Sequence, residues 1–145
     1  MRTRTLALIL ALLALAASTL YAVGTIVVTE AMNAPLGMAR YTLDWASDAS
    51  GDVNGTTTTL PIGYLVKVEI FPDAAGTQPT DLYDVQLQDA KDVDLLASAG
   101  TNQSNAASEV ILFDPPIYID DSGLELVVSA AGNAKGGIVY VWVRQ

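Results

Sequence analysis

The chain contains no cysteine and no histidine, and only seven of its 145 residues are lysine or arginine. Without Cys there are no disulfides, no thiolate nucleophile and no sulfur-based metal site. Without His there is no imidazole acid–base chemistry, and the usual zinc ligand sets are excluded. Scarce basic residues against 16 Asp and Glu give a formal charge of −9 and a pI near 4.1. A surface of that sign repels phosphate backbones, and Arg40, Lys67, Lys91, Lys135 and Arg144 are scattered singly along the sequence. Nucleic acid is therefore not an expected partner. No cofactor-binding motif is present.

What the chain has in excess is apolar residues, 51% of the total, and their pattern changes near Glu30. From Thr5 to Thr29 no side chain is charged, and Arg2 and Arg4 precede that run. Basic residues before an apolar stretch mark both signal peptides and membrane anchors. Ala14-Leu15-Ala16 and Ala22-Val23-Gly24 offer small-residue cleavage sites, whereas Leu6 to Val28 is long enough to span a bilayer as a helix. An assembly arm packed on protein is the third reading, with Leu8 and Leu12 as its contact residues. The division expected is an apolar helix over 1–24, with possible membrane contact through 5–28, and one β-domain over 25–145.

Beyond Gly24 the period is two. Strands are expected from Thr25 and within Ala39–Trp45, Gly55–Leu60, Tyr64–Phe71, Leu82–Leu87, Val110–Phe113, Ile117–Ile119, Leu124–Ser129 and Ile138–Arg144. Gly, Asn and Asp supply the turns between them. The class this implies is all-β, an antiparallel β-sandwich or jelly roll of eight or nine short strands.

Alternation also sorts faces. Tyr41, Leu43 and Trp45 should point inward, as should Tyr64, Val66, Val68 and Ile70, leaving Leu65, Lys67 and Glu69 outside. Leu124, Leu126 and Val128 form a third inward set. Ile138–Arg144 is apolar on both faces, as expected either of a central strand or of one covered by the core on one side and a second copy on the other. Val139, Val141, Trp142 and Val143 are accordingly candidate assembly residues.

Candidate chemistry is sparse. Asp81, Asp84, Asp89, Asp92 and Asp94 could gather a hard cation through oxygen ligands, but their spacing fits a solvated strand–turn–strand edge better. Ser50 to Gly55 resembles the opening of a calcium loop, yet Ser stands at the first ligand position and Pro61 where a bidentate Glu belongs, so a hairpin turn is expected. No carboxylate pair sits in an evident apolar pocket with aromatic neighbours, so no catalytic residue is assigned.

Four segments carry a resemblance when taken in order. They are Tyr41-Thr42-Leu43-Asp44-Trp45-Ala46-Ser47-Asp48 with Gly51-Asp52-Val53; Pro79-Thr80-Asp81-Leu82-Tyr83-Asp84-Val85; Asp94-Leu95-Leu96 with Gly100-Thr101-Asn102; and Val127-Val128-Ser129 with Ala131-Gly132-Asn133 and Lys135-Gly136-Gly137. The order resembles that of small tailed-phage virion structural proteins, over about residues 25–144, with residues 1–24 as an addition. The resemblance implies a head-decoration role, a β-sandwich, self-association and contact with a capsid or other virion protein, with no catalytic residues. The alternative is a secreted or membrane-anchored β-sandwich binding or adhesion module, exported to the periplasm or cell surface.

Overall fold

The computed structural model describes residues 24–33, 37–54, 62–120 and 123–145. The apolar segment 1–24, apart from Gly24 itself, and the strand expected over Gly55–Leu60 lie outside the described residues, as do Leu8 and Leu12. Within them the chain is all-β, with antiparallel sheets and a single 3-10 turn at Ala75–Thr77.

Seven strands are formed among the described residues. β1 (Thr25–Asn33), β2 (Met38–Ala46), β3 (Gly63–Pro72), β5 (Glu109–Ile119) and β7 (Gly136–Arg144) make a five-stranded sheet in the order β1-β2-β7-β3-β5. β4 (Asp84–Gln88) and β6 (Glu125–Ser129) make a two-stranded sheet, beside which Val53 pairs with Val128. The two expected segments Val110–Phe113 and Ile117–Ile119 are parts of one strand, β5. Its pairing with β3 is interrupted between Leu112 and Ile117, where Pro115 and Pro116 provide no N–H.

The core is lined by one face of each sheet. Tyr41, Leu43 and Trp45 of β2 and Val139, Val141 and Val143 of β7 meet Val85 and Leu87 of β4 and Leu126 and Val128 of β6 in one buried cluster. Trp45 lies against Tyr83, ring centroids 5.9 Å apart. The inward sets read for β2 and β6 are observed.

In β3 the expected faces hold at Val68 and Ile70 and are corrected at Tyr64, Leu65 and Val66. Leu65, Val68 and Ile70 are fully buried, whereas Tyr64 is exposed and Val66 only half-buried. A β-bulge explains this: Leu65 pairs with Val143 but Lys67 with Trp142, so Val66 is an extra residue opposite β7. One extra residue reverses the inside–outside alternation of everything before it relative to everything after it.

The turn expected over Ser50–Gly55, of which Gly55 lies outside the described residues, also differs from expectation. Asp48 Oδ1 accepts the N–H groups of Ser50 and Asp52 at 2.7 and 3.0 Å, and Gly51 adopts φ +92° with its α-carbon against the backbone of Gly132. Val53 then pairs with β6, not β2, so this turn carries the chain from one sheet to the other instead of closing a hairpin. The hydrogen bonds from Asp52 and its neighbours hold the Asp48 carboxyl below its usual range.

Candidate interaction surface

The side chains opposite the core on the five-stranded sheet form the most unusual surface of the molecule. Strand register places them in rows: Ala31, Arg40, Trp142, Lys67 and Leu112 in one, and Thr29, Thr42, Tyr140, Glu69 and Val110 in the next. Lys67 Nζ stands 4.3 Å from the centre of the Trp142 ring, and the Arg40 guanidinium 4.7 Å from that of Tyr140 and 5.8 Å from that of Trp142. Trp142 Nε1 donates to Glu69 Oε2 at 2.6 Å, and Glu69 Oε1 pairs with Lys67 at 3.2 Å. Phe71 meets the edge of Tyr140, Tyr64 meets that of Tyr118, and Arg144 lies over Tyr64. Stacking of cations on rings stabilises such a ladder by about 0.5–1 kcal/mol per contact at exposed positions.

Three of the five described basic residues thus share one face, although 27 residues separate Arg40 from Lys67 and 77 separate Lys67 from Arg144 in the sequence. Their scatter along the chain is undone by the strand order β2-β7-β3. Arg40 and Arg144 make no ion pair among the described residues, despite 16 carboxylates in the chain. The face is apolar toward its β5 side, where Leu112 is 72% and Tyr118 58% exposed, with Val110 and Phe71 also open to solvent. Exposed apolar residues gathered on one face, unlike single ones, mark contact surfaces.

The four assembly candidates of β7 divide between the faces. Val139, Val141 and Val143 are fully buried in the core and present no surface to a partner; Trp142 stands on the outer face. β7 is apolar on both sides because it is the central strand, with the core beneath it and the cation–aromatic ladder above.

The acidic stretch is built into loops. Asp89 Oδ1 accepts the N–H groups of Lys91 and Val93; Asp94 accepts those of Leu87, Leu96 and Ser98; Asp84 Oδ1 accepts that of Asn102 at 2.8 Å; Asp81 Oδ1 accepts that of Asn105. No group of three or more acidic side chains converges to hold a metal ion among the described residues. Because Asn keeps an acceptor oxygen at the same place, Asp84→Asn should change stability by less than about 1 kcal/mol, measured as the shift in urea midpoint. A recess of about 110 Å³ between Asp89, Lys91, Leu95, Tyr118 and Leu124 holds a few waters at most. Small-molecule sites usually occupy roughly 300–1,000 Å³.

The chain matches no family model, and neither a curated protein nor a solved structure matches it.

Proposed function

We propose that this protein is a non-enzymatic structural component of a virus particle, a β-sandwich that decorates or stabilises a phage shell in several copies. The observation that carries the reading is the outer face of the five-stranded sheet, where exposed Val110, Leu112, Phe71 and Tyr118 share a surface with ring-stacked Arg40 and Arg144, which make no ion pair among the described residues. The ordered resemblance to small tailed-phage virion proteins supplies the kind of shell it would join. Apolar burial against another virion protein supplies the contact energy, and Arg144 meets a carboxylate of that partner.

The test is mass spectrometry of particles purified from the natural host, with the wild-type chain and Leu112→Asp compared. Leu112 is exposed, so the substitution should leave the unfolding midpoint unchanged while weakening incorporation. Losing one buried leucine contact costs about 2 kcal/mol, roughly a 30-fold fall in affinity. Absence of the wild-type chain from the particles would reject the proposal.

A further inference from the structure

The five-stranded sheet ends in two very different edges. On one side β5 has its pairing with β3 interrupted between Leu112 and Ile117, and carries Pro115 and Pro116, features that block addition of another strand. On the other side β1 is nine residues in unbroken register with β2, free of Pro and with Glu30 as its one charge. Thr25, Val27, Val28, Thr29, Glu30 and Ala31 are all exposed and Ile26 packs against the core, so among the described residues the outer face and outer edge of β1 are uncovered. A long, regular, weakly charged edge is a template for another strand.

We propose that β1 pairs antiparallel with β1 of a second copy of this chain, across a two-fold axis, to make one sheet continuous through both molecules. The inference rests on reading the chain as an assembling protein and names the contact between copies. A strand that pairs with itself through a two-fold must be antiparallel, as every described strand pair of this fold is.

Full overlap of the nine residues centres the axis at Thr29. Glu30 then faces Val28 of the second copy, so the one charge of the strand never meets itself, and Val27 faces Ala31 of the second copy. Through the register with β2, in which Ala31 pairs with Arg40 and Val27 with Asp44, the axis sets Arg40 on the same cross-strand row as Asp44 of the second copy. Only the short side chains of Ala31 and Val27 intervene, over roughly 14 Å between Cα atoms at about 4.8 Å per strand. Arg40 has no carboxylate partner within its own copy among the described residues, and the symmetry supplies the opposite charge twice.

The absence of cysteine makes the test direct, because any introduced thiol is the sole thiol in the chain. Thr29→Cys, Thr42→Cys and Asp92→Cys are made in the full chain and oxidised gently, and disulfide-linked dimer is measured by non-reducing electrophoresis. Residues opposite each other across a two-fold strand pair lie within disulfide reach, whereas positions one strand further in do not. Thr29→Cys should give at least about fivefold more dimer than either control. Placing Val28→Lys beside Thr29→Cys, opposite Glu30 of the second copy, should raise dimer formation severalfold, and Val28→Glu should lower it severalfold. Urea midpoints equal to wild type establish that each variant is folded.

Dimer at control level from Thr29→Cys, or indifference to the sign of charge at residue 28, overturns the inference. If that happens while the wild-type chain is still found in particles, the virion reading stands without this contact. If Thr29→Cys links strongly but the chain is absent from particles, the edge contact stands and the virion reading falls.

Discussion

Val141→Asp should abolish the folded state at neutral pH. Val141 is fully buried at the middle of the central strand, paired with Tyr41 on one side and Val68 on the other, and its side chain points into the core. A carboxylate there has neither water nor a cation to meet. An isolated charge in such a place costs several kcal/mol even after the surroundings relax, comparable to the whole stability of an ordinary domain. The measurement is far-ultraviolet circular dichroism with urea titration, and no cooperative transition is expected. Val141→Ala, which removes apolar area without adding charge, should remain folded and lose about 2 kcal/mol. Trp142→Ala, one residue along but on the opposite face, should also leave a cooperative transition. A folded Val141→Asp with an unchanged midpoint would mean that β7 faces the other way.

The second large effect is a loss of stability in alkali. Burial pushes the Tyr83 hydroxyl up to about 12 from an ordinary 10.0, and burial reinforced by the Glu30 charge and its hydrogen bond does the same to Tyr41. A proton held more tightly in the folded than in the unfolded state stabilises the fold at every pH below the unfolded value. As pH rises from 10 toward 12 the unfolded chain ionises first, and the contribution disappears. Loss of both contributions removes on the order of a few kcal/mol across this range, the smaller part from Tyr41, whose hydroxyl reaches the exposed Glu30. Urea midpoints measured at increasing pH should fall steeply, together with the appearance of tyrosinate absorbance. Tyr83→Phe should remove more than half of the dependence. It should also raise stability at neutral pH by about 1 kcal/mol, because the Tyr83 hydroxyl is buried without a hydrogen-bond partner among the described residues. An unchanged alkaline slope in Tyr83→Phe would show that the tyrosine titrates normally.

Much of the fold could be read from alternation, and its failures have local causes. Tyr41, Leu43 and Trp45 point inward as their spacing says, because β2 runs straight from end to end. Tyr64 does not, because Val66 is inserted in the pairing with β7, and nothing in Tyr64-Leu65-Val66-Lys67 distinguishes a bulged strand from a regular one. Val110–Phe113 and Ile117–Ile119 were expected as separate strands and form one; at a sheet edge the N–H groups missing at Pro115 and Pro116 interrupt pairing without ending the strand. The outer face was less legible still. Arg40, Lys67 and Arg144 become neighbours only through strand order, and strand order is a long-range property that no spacing rule contains. The role of the aspartates was partly legible: their loops were expected, but not that Asp94 alone would gather three backbone N–H groups.

The position of β7 also governs how the molecule can be made. Among the seven described strands it is the last to leave the ribosome, yet of these it alone joins β2 to β3. Until residues 136–144 emerge, β1 with β2 and β3 with β5 are separate ladders, each with an additional open edge. Closure therefore waits for the C-terminal strand and requires pairing across a long stretch of chain, the kind of step that makes folding slow. A nascent chain stalled before Gly136 would expose β2 and β3 together, and during that interval neighbouring copies could pair along edges that the finished protein conceals.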